Sequence, residues 1–380
     1  MEGIVKYIGF YDADSFSNEN RNSFLSATNK MDYIADSIVR SGKEVGIISP
    51  SWSKNEKGLY YGRETILFDG ITLTCGPTFG AKRRLLKFLR ILNSWIWLFF
   101  FLLKNIEKGE TIIVYHSMMI LKPIILAKKI KKFKLLLEVE EIYQDVKKYS
   151  SRMEKREYHF FEIADSYIFP SELLNEKINT QNKPYTIIHG SYQVEEDRAC
   201  KLDNGKIHAV YAGTLDPRKG GILAVTAAAF LTEKYHVHII GFGSEKEKKD
   251  LMKLVDEISK NTKCTITYDG LFKGEDYIRF LQSCDIGLTT QDAYALYNNT
   301  SFPSKILSYL TNGLQVVSVR LKAIEVSAIG HAVTYYDEQS PQALANAIMS
   351  IDVNHTNKSF ELVKMLDNKF VRNIKELLGD

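Results

Sequence analysis

Two segments in the second half of the chain have the residue types of anion-binding loops. The first covers residues 211–221, YAGTLDPRKGG, with Gly213 after an apolar run and Arg218 and Lys219 just before a helical pattern. Glycine lets a backbone approach a ligand closely, and a helix N-terminus offers free N–H groups. The two cations add full positive charges. The segment predicts binding of a diphosphate, although the same residues also suit a solvated surface turn.

The second segment covers residues 298–313, NNTSFPSKILSYLTNG. Pro303 suits the first turn of a helix, and Gly313 suits its end. Ser304 can cap the helix, and Lys305 follows beside the free N–H groups of the first turn. The pattern predicts a second anion-binding helix start. A capped helix packed only by its apolar residues is the alternative.

A third glycine segment is IIGFGS, residues 239–244, in which an apolar run ends in Gly241 and Gly243. The pattern is shorter than a complete dinucleotide-binding fingerprint, and no acidic residue at the expected distance completes it. It predicts a strand that leads through a glycine turn into a helix. That turn either contributes to the ligand site or is a tight turn alone.

In the first half of the chain, Glu140 and Glu141 end the apolar run LLLEV. A carboxylate at the end of a strand can accept a proton from a substrate hydroxyl or bind a sugar hydroxyl. These two glutamates are therefore the candidate catalytic residues. The alternative is a solvated pair, or one paired with Lys147 and Lys148.

The elements that position these residues alternate between strands and helices along the whole chain. Apolar runs such as Val45–Ser49 and Ile286–Thr289 predict strands, and 3.6-residue periodicity such as Ala27–Arg40 and Glu245–Ser259 predicts helices. This alternation indicates an α/β fold in which helices cover both faces of parallel sheets. Ligands of such sheets bind at the carboxyl ends of the strands.

A chain of 380 residues is long enough for two domains. The polar, weakly periodic segment Ser191–Lys206 is the predicted linker. We therefore expect two doubly wound Rossmann-like lobes, at residues 1–190 and 207–357, with an interdomain cleft. A helix at 358–380 is expected to cross back to the first lobe.

The charge is concentrated in one block. The net charge is only +4, but residues 82–134 hold 13 basic and 2 acidic side chains. The apolar run Ile91–Leu103 within this block has 13 residues, and a membrane span needs about 20. We predict no transmembrane segment. The block is either a peripheral contact with an anionic membrane, with Trp95, Trp97 and Phe99–Phe101 at the interface, or a core-packed helix with a solvated basic face. Nucleic acid is not expected, because no motif supports it.

The cysteine pattern predicts neither disulfides nor zinc binding. Four cysteines lie far apart without a CxxC pair, so neither a disulfide framework nor a zinc site is expected, and a reducing cytoplasm fits. The N-terminal residues are expected to form a first strand rather than a signal peptide. His116 and His189 follow predicted strands and are expected to be structural.

Five segments in order resemble the C-terminal lobe of the large family of retaining GT-B glycosyltransferases, over residues 207–351. They are GTLDPRKG, HVHIIGFGS, ITYDGLFKGEDYIRFLQSCDIGL, FPSKILSYLTNGLQVVSV and SPQALANAI. The first half of the chain is similar to the N-terminal lobe of bacterial surface-polysaccharide sugar transferases. The similar segments are NKMDYIADSIVRSGKEVGIIS, LLLEVEEIYQDV, ADSYIFPS and IIHGSY.

The resemblance implies roles for the cationic residues. Arg218 and Lys219 would hold the diphosphate of a nucleotide-sugar donor. Lys305 and the helix start at Ser304 would bind the same group from the other side. The family usually needs no metal, so no metal ligand and no cofactor is expected beyond a UDP- or GDP-linked sugar as co-substrate.

The resemblance also implies a base-binding loop and shows two departures. Residues 269–272, with Leu271, would line the nucleotide base. The family carries two glutamates eight positions apart around the phosphate-binding helix, where this chain has Thr300 and Ser308. The glycine-rich turn expected after the first strand is replaced by residues 11–22.

These observations predict a cytoplasmic glycosyltransferase, peripheral at the inner face of the membrane. It would move a sugar from a nucleotide-sugar donor to a glycan acceptor, lipid-linked in our interpretation, in surface-polysaccharide synthesis. The alternative is a catalytically degenerate GT-B subunit that stabilises an active transferase. A nucleotide-sugar epimerase would need further acid/base residues, which the sequence does not place.

Overall fold

The computed structural model divides the chain into two compact units. The first unit comprises Met1–Pro170, Leu174–Ile188 and Asn368–Asp380, and the second comprises Ser171–Leu173 and His189–Asp367. The residues described are 3–146, 149–196, 201–202, 204–216, 220–295, 300–353 and 359–379.

The first unit is built on a large, mainly parallel sheet. Its strands are β1 (Val5–Ile8), β2 (Val45–Ser49), β3 (Leu59–Tyr60), β4 (Arg63–Phe68), β5 (Ile71–Cys75), β6 (Thr78–Phe79), β7 (Thr111–Tyr115), β8 (Lys134–Glu138), β9 (Ser166–Phe169) and β10 (Tyr185–Ile187). Eight of them form one sheet in the order β10-β9-β8-β7-β1-β2-β5-β4, and β3 pairs with β6. The central strands are buried on both faces, as their continuous apolar sequences predict.

Helices flank this sheet. They are α1 (Leu25–Arg40), α2 (Arg84–Asn105), α3 (Leu121–Lys131), α4 (Tyr143–Val146), α5 (Ser151–Ile163) and α6 (Glu172–Ile178), with a 3₁₀ helix at Asp14–Glu19. One core cluster joins β1, β7, β8 and β9 to α2, α3 and α5. Ser94, Leu98 and Leu102 of helix α2 are buried, and their four-residue spacing places them on one face of the helix. This face packs on the first unit, although the opposite face of the helix is also apolar.

The outer edge of this otherwise parallel sheet is antiparallel. Strand β4 pairs with β5 in an antiparallel hairpin. The turn between them is Asp69-Gly70, and Gly70 has φ +73°, a conformation that favours glycine. Strand β5 gives a weak sequence signal, because Thr72 and Thr74 interrupt its apolar pattern.

The segment that replaces the glycine-rich turn after β1 is fixed by a buried arginine. The Arg21 side chain is almost fully buried. Its guanidinium donates to the Glu19 carboxylate at 2.7 Å and to the carbonyls of Ser51 and Gly76 at 2.8 and 2.9 Å. A paired, hydrogen-bonded charge is the form in which arginine tolerates burial. This loop is therefore organised by side chains rather than by glycine.

The second unit has a fully parallel sheet. Its strands are β11 (Ile207–Thr214), β12 (Tyr235–Phe242), β13 (Thr265–Gly270), β14 (Ile286–Thr289), β15 (Gln315–Val319) and β16 (Val333–Tyr336). They lie in the order β13-β12-β11-β14-β15-β16. The order reverses between β11 and β14, which is the type of position where doubly wound sheets bind ligands.

The helices of the second unit follow the predicted pattern. They are α7 (Gly221–Ala227), α8 (Glu245–Ser259), α9 (Gly274–Ser283), α10 (Lys305–Leu310), α11 (Lys322–Glu325), α12 (Pro341–Met349) and α13 (Ser359–Leu377), with 3₁₀ turns at Ala228–Phe230 and Gly330–Ala332. Helix α8 begins with the Ser244–Glu247 capping box. The last part of α13, from Asn368, groups with the first unit.

The predicted linker packs on the second unit. Among its described residues, the Glu195 N–H donates to the Thr311 carbonyl at 3.1 Å, and the Gln282 side chain donates to the Glu196 carbonyl at 2.6 Å. Residues from His189 onward already belong to this unit. The first part of the predicted linker, residues 191–196, therefore belongs to the second unit.

Helix α2 is the one helix in the described part of the chain that is long and apolar enough to cross a membrane. It has 22 residues, so it extends beyond the 13-residue apolar run at both ends. Length and composition alone are weak evidence for a span, because a packed helix of a globular unit passes the same test.

Candidate functional site

The glycines of the IIGFGS segment serve a strand as well as a turn. Strand β12 continues through Gly241, which pairs with Gly213 of β11. Gly241 has φ +140°, and a Cβ there would lie 1.7 Å from the Gly213 carbonyl oxygen. Only glycine permits this approach. The turn therefore begins at Gly243, one residue before the cap of α8, and Gly241 is not part of the predicted loop.

Lys305 lies against the backbone of Gly213. A Cβ at Gly213 would be 1.9 Å from the Lys305 Nζ, so glycine leaves the space that the ammonium group occupies. The same nitrogen lies 4.5 Å from the ring centroid of Tyr211, a cation–π distance. Two residues predicted from separate motifs thus come together at the carboxyl end of β11. Tyr211 was missed because it stands inside an apolar strand.

Tyr309 fixes the helix that carries Lys305. The Ala212 N–H donates to the Tyr309 hydroxyl at 3.0 Å, and this hydroxyl donates to the Leu288 carbonyl at 3.2 Å. Helix α10 has only six residues, so its dipole is small, and the exposed Ser304 makes no side-chain capping bond. The positive charge described at this end of β11 is therefore that of Lys305.

A second close approach connects α7 to β14. Gly220 has φ +91°, and a Cβ there would lie 2.0 Å from the Thr290 carbonyl oxygen. The Thr290 hydroxyl donates to the Gly220 carbonyl at 2.8 Å. Arg218 and Lys219, the predicted diphosphate cations, precede this turn and lie outside the described residues. We call Gly213, Gly220, Thr290 and Lys305 the β11 edge.

The predicted base loop follows β13. Leu271 is 50% exposed, so its side chain is accessible to a ligand. Asp269 is committed elsewhere, because its carboxylate lies 3.0 Å from His238 Nδ1. Phe272 stacks on Phe280 with ring centroids 4.6 Å apart, which anchors the far end of the loop. Leu271 is therefore the residue of this loop that is available to pack on a base.

The two positions that carry glutamates in the resembling family have other tasks here. Thr300 is buried, and its carbonyl accepts a hydrogen bond from the Ser171 hydroxyl. Ser308 is half-buried and hydrogen-bonds the Tyr277 side chain. Both side chains are neutral, so neither can provide the charged contact that a carboxylate makes to a sugar hydroxyl.

The two histidines that follow strands are buried against protein side chains. His189 is buried, with the Tyr192 hydroxyl 2.7 Å from Nδ1 and the Glu172 carboxylate 3.2 Å from Nε2. His116 is buried 3.5 Å from Glu157. Burial lowers the pKa of His116 to about 3, so this ring is neutral at physiological pH.

The first unit holds a cluster of carboxylates at the end of β8. Glu138 is fully buried and accepts a hydrogen bond from the Tyr7 hydroxyl. Burial, followed by the nearby Glu140 charge, raises the pKa of Glu138 to about 8. The Lys30 ammonium lies 2.8 Å from the Glu140 carboxylate and donates to the Ile188 carbonyl at 3.0 Å. A neutral acid and an ion-paired carboxylate therefore lie close together.

This geometry revises the expected partners of the predicted catalytic glutamates. Glu140 pairs with Lys30, whereas Lys147 and Lys148 lie outside the described residues. Glu141 is half-buried. Glu138 was not predicted as a site residue because it lies within an apolar strand. A carboxylate among leucines could have indicated it, because burying an ionised group is costly.

Comparison with known proteins finds a family match in the second unit. Residues 193–360 match the family model of glycosyl transferases group 1. The match includes Gly213 and Lys305 and excludes Glu140. No curated protein sequence matches this chain.

Solved structures are similar over almost the whole chain. The α,α-trehalose 6-phosphate synthase from Burkholderia multivorans has a TM-score of 0.65 at 9% identity, covering 98% of this chain and 95% of its own. HepE from Anabaena in complex with UDP has a TM-score of 0.63 at 11% identity, covering 99% and 98%. A glycosyltransferase from Rickettsia africae has a TM-score of 0.63 at 13% identity, covering 99% and 97%.

These likenesses confirm the predicted fold class. The chain has the α/β GT-B fold with two Rossmann-like lobes. At such low identity, the similarity to these structures is evidence for the fold alone. Together with the family match over residues 193–360, this fold supports glycosyl transfer from a nucleotide sugar.

Proposed function

We propose that the protein transfers a sugar from a nucleotide-sugar donor to a glycan acceptor. The observation that carries the proposal is the convergence of Lys305, Gly213 and Gly220 at the carboxyl ends of β11 and β14, inside the region matched by the glycosyltransferase family. Retention of anomeric configuration belongs to the proposal because the motifs resemble those of the retaining family.

The chemistry of transfer explains why a cation is needed at the β11 edge. As the glycosidic bond breaks, the leaving diphosphate gains negative charge. A fixed cation stabilises that charge more in the transition state than in the ground state, which lowers the barrier. Lys305 is held for this task by the Tyr211 ring and by the anchoring of α10 through Tyr309. In the proposal, Arg218 and Lys219 bind the same diphosphate.

The carboxylates of the first unit have the acceptor-side role in this proposal. Glu140 is ion-paired with Lys30 and is 29% exposed, so a substrate hydroxyl can reach it. A charged carboxylate can bind a sugar hydroxyl or accept its proton. Glu141 is the second candidate for this contact.

A panel of nucleotide diphosphates tests the donor proposal. UDP is the favoured nucleotide, because HepE, a protein of the same fold, binds UDP. We expect UDP to stabilise the protein more than GDP or ADP in thermal denaturation. At a concentration 100 times the dissociation constant, the stabilisation should be about 2.7 kcal/mol. If GDP stabilised the protein more than UDP, the proposed donor would be a GDP-linked sugar. If no nucleotide stabilised the protein, the proposed function would be refuted.

One observation favours a second candidate, a catalytically degenerate subunit. Thr300 and Ser308 replace the two family glutamates; Thr300 is buried, and the Ser308 side chain hydrogen-bonds Tyr277. A degenerate chain could still bind UDP. It would show stabilisation by UDP without any release of UDP from UDP-sugars, either alone or with acceptor.

We further propose that the acceptor is lipid-linked and that the first turns of α2 contact an anionic membrane. Every residue from Lys82 to Leu89 is exposed. Their sequence, KRRLLKFL, combines four cations with four large apolar side chains. Such a surface suits a peripheral contact, with cations at the head groups and apolar groups in the interface.

This surface differs from the one that the sequence suggested. Trp97, Phe99 and Phe101 are half-buried and pack against the core of the first unit, whereas Phe100 is exposed. Arg90 is buried, and burial lowers its pKa, so it does not belong to the membrane surface. A cavity of about 490 Å³ lies farther along α2, and its apolar lining supports a lipid-linked acceptor. It is lined by Pro77, Asn93, Ile96, Trp97, Phe100, Phe101, Lys104 and Asn105.

Sedimentation with liposomes tests the membrane contact. We expect binding to vesicles that contain anionic lipid, weaker binding to neutral vesicles, and release by salt, because the Debye length falls from about 10 Å at 0.1 M to about 3 Å at 1 M. Replacing Arg83, Arg84 and Lys87 by glutamine should reduce binding, since each cation near the surface contributes about 1 kcal/mol.

The matched control replaces three exposed lysines of α8 in the second unit, Lys246, Lys249 and Lys253. This variant loses the same charge and should sediment like the wild type. Equal losses in both variants would indicate a non-specific charge effect. If the wild type does not bind anionic vesicles at low salt, the membrane contact is refuted.

A further inference from the structure

Three histidines share one face of the sheet in the second unit. His208 lies on β11 and is in register with His236 on β12, and His238 is two residues farther along β12. Side chains two residues apart on a strand point to the same face. One ring nitrogen from each histidine lies within 4.8 Å of the other two. The rings of His236 and His238 stack with centroids 3.8 Å apart.

The outer nitrogens of two of these rings face hydrogen-bond acceptors. His208 Nε2 lies 3.0 Å from Asn204 Oδ1, and that oxygen is identified by the Lys206 N–H, which donates to it at 3.1 Å. His238 Nδ1 lies 3.0 Å from the carboxylate of Asp269. Because both partners are acceptors, both outer nitrogens carry the proton of a neutral ring.

The inner nitrogens of the same rings therefore face each other as lone pairs. His208 Nδ1 and His238 Nε2 are 2.9 Å apart. Two lone pairs at this distance repel unless a cation lies between or beside them. Either a proton or a metal ion can resolve the conflict.

The third ring favours the metal ion. His208 and His238 are buried, and a metal ion binds the neutral form of imidazole. His236 brings a third ring, whose Nε2 lies 2.9 Å from the Thr267 hydroxyl. Each ring thus has an outer oxygen partner, as metal-binding histidines usually have.

We propose that His208, His236 and His238 form a binding site for a divalent transition metal such as Zn²⁺. Imidazole ligands suit zinc, copper and nickel. Zinc–nitrogen bonds of about 2.0–2.1 Å in a tetrahedral site separate the ligand nitrogens by about 3.3 Å. That value lies between the 2.9 Å and 4.8 Å found here, so small ring rotations suffice. Water would take the fourth position.

The position of this site indicates a structural task. His208 is five residues before Gly213 on the same strand, a separation of about 16 Å at about 3.3 Å per residue. The metal would therefore lie away from Lys305 and would tie β11 to β12, with Asp269 extending the link to β13. This inference does not depend on the proposed function.

Calorimetric titration of the tag-free, chelator-treated protein with Zn²⁺ tests the proposal. We expect one site per chain with a dissociation constant below about 1 µM. His236→Ala should weaken binding at least about 100-fold; this half-exposed ring can be removed without opening the core. His238→Ala should do the same, and Asp269→Asn should weaken binding about tenfold or more. Co²⁺ should give the visible absorption of a tetrahedral site in the wild type and not in His236→Ala.

The control is His159→Ala, which removes an exposed ring on α5 of the first unit. Circular dichroism of each variant verifies folding. Binding of Zn²⁺ by His159→Ala but not by His236→Ala supports the site. Equal binding by His236→Ala and the wild type, or no binding by the wild type, overturns the proposal; in the latter case a proton shared by His208 and His238 resolves the lone-pair conflict.

Discussion

Replacing Lys305 by alanine should raise the dissociation constant for UDP about 10- to 150-fold. The ammonium group lies against Gly213 at the carboxyl end of β11, where the leaving diphosphate is proposed to bind. A lost hydrogen bond to a charged group removes about 1.5–3 kcal/mol of binding free energy, which corresponds to that range. Isothermal titration of the purified variant with UDP measures the effect directly.

The matched control is Lys246→Ala. Lys246 is an exposed lysine in the first turn of α8 in the same unit, so the variant loses the same charge near another helix start. Thermal denaturation without ligand must show that Lys305→Ala is folded, because Lys305 also packs on Tyr211. An unchanged dissociation constant in a folded Lys305→Ala protein would remove the donor diphosphate from the β11 edge.

Replacing Glu140 by glutamine should lower turnover about 10²- to 10⁴-fold while leaving UDP affinity nearly unchanged. The substitution keeps size and hydrogen bonding but removes the charge that can accept a proton from the acceptor hydroxyl. The donor residues belong to the other unit, so loss of this charge should affect the chemical step more than donor binding. Initial rates of sugar transfer and a separate UDP titration distinguish the two effects.

Glu110→Gln is the control for this substitution. Glu110 is ion-paired with Lys6 in the first unit and has a similar degree of burial. If both variants lose turnover equally, loss of an ion pair explains the result. If Glu140→Gln keeps full turnover and Glu141→Gln does not, the acceptor contact moves by one residue, and full turnover in both makes the carboxylates structural.

Much of the fold could be predicted because it depends on local patterns. The strand at Val45–Ser49 and the helix at Glu245–Ser259 were predicted to the residue, since apolar runs and caps mark their ends. Strand β5 was missed because its outer face carries threonines, which weaken the apolar signal. The Asp69-Gly70 turn that makes β4 antiparallel was a readable hairpin signal.

The site was predictable as residue types but not as contacts. Gly213 and Lys305 were found from the chemistry of glycine and lysine in loops, yet nothing local shows that they touch across 92 positions of sequence. The contact of Lys30 with Glu140 could not be predicted for the same reason, since a lysine inside a helix is normally expected to be solvated. Glycine at 241 looked like a turn residue, whereas the neighbouring strand requires it.

The Tyr309 hydroxyl acts as a spacer between two strands. The ladder between β11 and β14 runs only through Ala209 and Val210, and beyond that point the phenol takes up the Ala212 N–H and the Leu288 carbonyl. The ring has room because Gly287 faces it, where a Cβ would lie 2.2 Å away. The width of the opening at the reversal point is thus set by one side chain. Surrounding loops could be exchanged, and their ligands with them, while this gap kept its dimensions.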